Sequence, residues 1–307
     1  MDHRLTSGEI TRGCRTIDNR AATPATVEDV EAKRRSAERE NVNEQNEETR
    51  EQALDVRVEQ GVMTLTIDRP RSMNALRSID KTEMAEIVEG IDDTVRVIVV
   101  RGSGSRAFCA GADIKELARH SVASGVASLQ AEARLFDAFM KCPVPIIAGV
   151  SGYALGLGLV IACVSDIVLA SSDAVFGMPE VRNAVPAGMQ TQLLAGIMGL
   201  NRARYLLYTG ARMTAHDAQA GGLVAEVLPD LAALGDRTAQ LAQTVAALPK
   251  VGLTLQKRVV DSWIRHPFDA NIDANLYLAA SAFGDDTPRA EIDRFIASRT
   301  PSTEAHG

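Results

Sequence analysis

The chain has 307 residues, 46% of them hydrophobic and 24% charged, with a formal net charge of −7. That composition excludes a collagen-like repeat and a chain disordered throughout, and a compact domain of this size buries roughly 75% of its unfolded surface with no need of disulfide staples. The acidic balance argues against nucleic acid as a partner, because phosphate binding is driven by clustered Lys and Arg, and the one basic cluster, Lys33-Arg34-Arg35, sits among glutamates.

Cys14, Cys109, Cys142 and Cys163 form no C-x-x-C pair, and the five histidines form no H-x-x-x-H pair, so no metal site or redox dithiol is expected. The first 13 residues alternate charged and polar side chains, and no stretch reaches about 18 uncharged apolar residues, so the expectation is a cytoplasmic protein that engages no membrane.

In chain order, residues 1–52 read as a charged extension, disordered or loosely helical, since Val30 and Val42 are the only large apolar residues from 28 to 51 and cannot offset the entropy of ordering it. Residues 53–228 read as the core. Within it, 55–59 and 62–67 alternate around Gly61 as a hairpin that Pro70 ends. A helix is predicted over 78–90, then a buried β-branched strand over 95–100. The alternation repeats as a helix over 124–141, a strand over 145–150, a glycine-rich turn, a short helix to Val164 and a strand over 166–170. This is an α/β pattern with parallel connections. Residues 229–307 read as a helical subdomain, with amphipathic spacing through Leu241, Val245 and Leu248 and again over 253–260.

Two segments carry chemistry. In Ala110-Gly111-Ala112-Asp113 a strand passes through a small-residue loop into a helix beginning near Asp113. In Gly152-Tyr153-Ala154-Leu155-Gly156-Leu157-Gly158 a strand again meets a glycine-rich turn and a helix start. Small residues at helix entrances let a ligand approach backbone N–H groups that have no intrahelical partner. Parallel strands bring such loops to one sheet edge, so the pair can act as two oxyanion donors.

With these motifs in view, the chain resembles the crotonase, or enoyl-CoA hydratase/isomerase, superfamily from about residue 53 to 301. The resemblance runs through Asp68-Arg69-Pro70, Met73-Asn74-Ala75-Leu76, the Ala110–Asp113 loop, Gly152–Gly156, Phe176-Gly177-Met178-Pro179-Glu180 and residues 218–224; in the tail, Phe283, Asp285-Asp286 and 292–295 look like the family's last helix. It implies a spiral of ββα units with a C-terminal helical trimerisation region, assembling as a homotrimer or a dimer of trimers. It implies acyl-CoA substrates, no cofactor beyond the coenzyme A of the substrate itself, and a thioester oxygen held by the backbone N–H groups of Ala112 and Leu157. By the same resemblance Ala112, Asp113, Ile114 and Lys115 line the substrate site and Asn74 and Ala75 lie near the pantetheine.

The chain also departs from the family pattern. Hydratases of the family hold water between two glutamates. Glu180 matches the second, but Val160 stands at the first and Leu157 replaces a glycine of the turn. A valine neither accepts a hydrogen bond nor carries a proton, so two-carboxylate hydration is expected to weaken by about 10²- to 10⁴-fold. The favoured reading is an isomerase-like shuttle with Glu180 as sole acid/base, its proton affinity raised by Phe176, Met178 and Val181. The alternatives are a hydratase or dehydratase working with one glutamate, and an inactive acyl-CoA-binding or scaffold protein. Asp113 reads as a helix-start residue, His216-Asp217 as part of a helix start capped by Thr214, and Cys109 as a packing residue. Arg69, Arg71 and Arg77 are candidates for coenzyme A phosphates. The acyl pocket is expected in an irregular segment over 118–130 and in 181–192.

Overall fold

The structure, a computed structural model, describes residues 52–183, 186–187 and 191–265. The expected charged extension up to residue 51, the expected last helix around 283–295 and part of the 181–192 segment lie outside the described residues.

Strands β1 (Leu54–Glu59) and β2 (Val62–Ile67) pair antiparallel, with Leu54 opposite Ile67 and Glu59 opposite Val62. Gln60 and Gly61 make the turn at φ 51° and 80°, and a two-residue loop with both φ values positive matches the twist of the flanking strands. Strand β2 then lies parallel to β3 (Val97–Gly102), β3 to β5 (Ile146–Val150), β5 to β7 (Ile167–Ser171) and β7 to β10 (Glu226–Leu228). A second sheet runs in the order β4 (Ala107–Cys109), β6 (Tyr153–Leu155), β8 (Val175–Gly177) and β9 (Arg212–Thr214). Strands β3–β4, β5–β6 and β7–β8 thus form a repeat, in which a long strand in the first sheet leads to a short one in the second. The chain then leaves through a helical segment, so the ends of β4, β6 and β8 gather along one edge.

Strand β3 up to Val100 and the whole of β5 are apolar because both faces are covered. Ile98, Val100, Ile146, Ala148 and Val150 face the main core, whereas Val97, Val99 and Ile147 pack on the other side against Ala242 and Val245.

Helix α1 (Ser78–Glu89) packs along α3 (Val122–Lys141), with α2 (Ile114–Leu117) between them in sequence. Helix α4 (Leu157–Val164) is buried along nearly its whole length. Helices α5 (Gln192–Met198), α6 (Leu200–Thr209) and α7 (Ala215–Ala220) follow, and α8 (Leu231–Ala246) and α9 (Lys250–Arg265) form the helical stretch after residue 229. Helix α9 is tied down by Lys257, whose Nζ donates to the Val144 carbonyl at 3.0 Å and to Asp166 Oδ2 at 2.7 Å. No helix among the described residues is long and apolar enough to cross a membrane.

Two expectations shift. The strand expected over 95–100 runs two residues later, because its register with β2 sets Val97 against Val62 and the Val95 N–H closes a turn onto the Asp92 carbonyl. The segment expected to be irregular over 118–130 is mostly helix, since Ser121 caps α3 by accepting from the Ser124 N–H at 3.2 Å.

Candidate active site

The first loop leaves β4 at Cys109. The Leu76 N–H donates to the Gly111 carbonyl at 2.9 Å and the Asp113 N–H to the Leu76 carbonyl at 3.0 Å, the pattern of a parallel bridge between Leu76 and Ala112. In such a bridge the flanking groups make the bonds, so the N–H of Ala112 itself points away from Leu76. Asp113 caps α2, its Oδ1 accepting from the Lys115 N–H at 3.0 Å and the Glu116 N–H at 3.3 Å. Ile114 and Lys115, on the exposed first turn of α2, follow directly.

Beneath this loop lies a buried polar lock. Arg69 donates to the Ala75 carbonyl at 2.6 Å and to Asp113 Oδ2 at 2.9 Å. Asn74 accepts from the Arg69 N–H at 3.0 Å and donates to the carbonyls of Ser103 at 3.0 Å and Ala107 at 2.7 Å. Burial pushes the proton affinity of Asp113 up, but the Arg69 hydrogen bond and charge, with the two cap N–H groups, outweigh it and hold the carboxyl below the usual range. Arg69 is 1% exposed and cannot reach a phosphate in solvent, which corrects the expectation for it. Arg77 is drawn back onto Asp80 by bonds of 2.9 and 2.7 Å and belongs to the start of α1. The amide of Asn74 is likewise spent on this framework, and Ala75 enters the lock through its carbonyl.

The second loop turns at Gly156, with φ 52° and ψ −118°, before α4 opens at Leu157. As the first helical residue, Leu157 has an N–H with no intrahelical acceptor by position. The two loops meet closely: a Cβ built on Gly111 would stand 3.3 Å from the Leu155 carbonyl oxygen and 3.9 Å from the Leu157 nitrogen. The structure therefore brings the Ala112 and Leu157 loops together.

Glu180 follows β8 and opens a short 3₁₀ turn, Glu180–Asn183. Its carboxylate lies against Gly156, where any Cβ would overlap Oε1, and its buried Oε2 has no hydrogen-bond partner. Burial is the largest influence on this carboxyl and raises its proton affinity; a backbone bond lowers it, and the charge of Glu132 raises it further. Phe176 and Met178 are buried as expected of an apolar wall, whereas Val181 is exposed and contributes nothing to it. Val160 is buried among apolar neighbours and offers no proton.

One cluster near this site escaped the sequence reading. Lys81 Nζ, itself buried, lies 3.6 Å from Glu132 Oε2 and donates to Ser128 Oγ at 2.8 Å. The signal was present as position: Lys81 shares a stripe of α1 with Met84, Ala85 and Val88, and Ser128 and Glu132 share one of α3 with Leu135, Phe136 and Phe139.

Other candidates resolve as structural. The thiol of Cys109 is fully buried and pushed up to about 12 by that burial. Asp217 accepts from Thr214 Oγ1 at 2.7 Å within the cap of α7, so the His216-Asp217 sequence is a helix start.

The model of the enoyl-CoA hydratase/isomerase family matches residues 57–305. A putative enoyl-CoA hydratase/isomerase of Bacillus subtilis is 38% identical over 169 residues, covering 53% of this chain and 64%, a little under two thirds, of that protein. The 1,2-epoxyphenylacetyl-CoA isomerase of Escherichia coli is 32% identical over 254 residues, 80% of this chain and 95% of that one. Among solved structures, an enoyl-CoA hydratase from Bacillus anthracis superposes with a TM-score of 0.77 at 26% identity, covering 81% of this chain and 98% of that one.

Proposed function

The chain belongs to the enoyl-CoA hydratase/isomerase family of enzymes acting on acyl-CoA thioesters, with the crotonase-type fold, and on that premise we propose that it forms a thioester enolate and reprotonates it, shifting a double bond. The N–H groups of Ala112 and Leu157 hold the thioester oxygen. Glu180 takes a proton from the α-carbon, the C–H electron pair delocalises into the carbonyl and the neighbouring double bond, and the same acid returns the proton to the γ-carbon. Fixed amide dipoles need no reorganisation as charge develops, and each is worth about 3–4 kcal/mol. The first carbonyl of the acyl group, the coenzyme A arm and assembly as a homotrimer or dimer of trimers follow the family pattern in this reading.

The observation that carries it is the buried, unpartnered Oε2 of Glu180 beside Gly156. A carboxylate raised in proton affinity, with one buried oxygen that has no hydrogen-bond partner, is suited to receive and hold a proton. Glu180→Gln is expected to abolish conversion of a 3-enoyl-CoA to its 2-enoyl isomer while leaving thioester binding intact. Full turnover by that variant would exclude the role.

A further inference from the structure

Position 160 carries no acid, yet a second carboxylate stands close to the site on another helix. Lys81 lies one turn into α1, which begins two residues after the Leu76–Ala112 bridge. Glu132 and Ser128 lie on the inward stripe of α3, whose later members Leu135, Phe136 and Phe139 are wholly buried. The first turn of α1 is stitched to both sides of this region: the Ser78 N–H donates to Glu116 Oε2 at 2.8 Å, and Ser78 Oγ to Ser128 Oγ at 2.8 Å. The charged cluster thus sits at the end of the α1–α3 pair nearest the Ala112 loop, not in solvent. Helix α3 also packs against α4, whose cap Gly156 touches Glu180.

We propose that Glu132, anchored by Lys81 and Ser128, is the second carboxylate of this site and activates water for addition to an α,β-unsaturated acyl thioester, the task Val160 cannot perform. The inference rests on the reading that the two amides hold a thioester oxygen. Lys81 donates to Ser128 through its carbonyl at 3.3 Å as well as its hydroxyl, so the ammonium is fixed from one side and presents its charge to Glu132 from the other. Burial raises the proton affinity of Glu132, which suits it to take a proton, while the charge and hydrogen bond of Lys81 oppose that rise and support the ionised form. Burial likewise raises the proton affinity of Glu180, and the charge of Glu132 raises it further, so both carboxyls are suited to exchanging protons rather than to standing as fixed charges.

Ionised Glu132 takes a proton from water as the water oxygen bonds to C3. The C2–C3 π pair moves through C2 into the thioester carbonyl, whose oxygen the Ala112 and Leu157 amides hold. Protonated Glu180 then gives its proton to C2, and solvent exchange returns the proton from Glu132 to Glu180.

The test is hydration of crotonyl-CoA, followed by loss of enoyl absorbance, in wild type, Glu132→Gln, Glu132→Asp and the double variant Lys81→Met/Glu132→Leu, with isomerisation of a 3-enoyl-CoA measured in wild type. The double variant removes both buried charges together, a replacement that folded proteins commonly tolerate, and covers the case in which Glu132→Gln strands Lys81 and fails to fold. Expected is hydration by wild type, a fall in kcat of roughly 100-fold or more in Glu132→Gln and the double variant with KM within a few-fold, and partial recovery in Glu132→Asp. Hydration at wild-type rate by a folded charge-removing variant overturns the proposal. Wild-type isomerisation without any hydration overturns it while the proposed function stands. A wild type inert to both substrates removes both.

Discussion

Gly156 and Glu180 are fitted to each other: the glycine adopts φ 52° and ψ −118°, and its missing side chain leaves the space that the Glu180 carboxylate fills. Gly156→Ala therefore fails twice, by backbone strain of about 1–3 kcal/mol and by driving the acid from its seat. The expected result is a modest fall in melting temperature with a fall in kcat of roughly 100-fold, larger than the strain alone accounts for. A variant with reduced stability but unchanged kcat would show that Glu180 tolerates displacement.

Leu157 allows a backbone donor to be deleted by substitution. Proline is accepted at the first position of a helix, where its missing N–H costs no intrahelical bond, and Leu157 holds that position in α4. Leu157→Pro is expected to keep the fold and lose roughly 10²- to 10³-fold in kcat, the cost of one oxyanion donor. Leu157→Ala, which keeps the N–H and loses similar apolar packing, is the control. Equal activity of the two variants would remove Leu157 from the oxyanion site.

How far the sequence reveals this site depends on the scale of each feature. The hairpin is legible because Gln60-Gly61 breaks two alternating runs, and β3 and β5 because strands covered on both faces show as unbroken apolar runs. The three-residue strands β4, β6, β8 and β9 are too short to show a period, so the second sheet emerges only from the fold. Arg69 and Asn74 carry polar groups that suit a ligand equally well, and only their bonds to Asp113, Ser103 and Ala107 reveal that they build the loop. Lys81 and Glu132 are concealed for the opposite reason: a charge on a helix reads as solvated unless the stripe it shares is followed across two helices.

The Arg69–Asp113 pair gives a prediction whose sign follows from its environment. Asp113 is held below the usual carboxylate range, so the unfolded chain binds its proton more tightly than the native protein does. The stability it contributes is present above the unfolded value of 3.8 and is lost as pH falls through the lower native value. Asp113→Asn leaves Arg69 buried opposite a neutral group and is expected to cost about 3 kcal/mol at pH 7. Denaturant titrations should show the gap between wild type and variant narrowing below about pH 4. A gap that does not change with pH would assign the loss to packing.

Glu180 predicts the reverse pH dependence. Its native proton affinity is raised above the value of 4.5 expected for an unperturbed glutamate, mainly by burial, so the folded protein binds this proton more tightly than the unfolded chain. Stability therefore declines as pH rises from the unfolded value through the higher native one, and the whole penalty persists above it. Glu180→Gln removes the titration while keeping the shape. In strongly acid solution, where the carboxyl is neutral in both states, the variant and wild type should be nearly equally stable. With rising pH the variant should become the more stable of the two, reaching a constant advantage above the native value. Denaturant unfolding of both proteins at pH 4, 6 and 8 measures that difference directly, and an advantage that failed to grow across this range would mean that the Glu180 carboxylate is stabilised in the folded protein instead of being held there at a cost to stability.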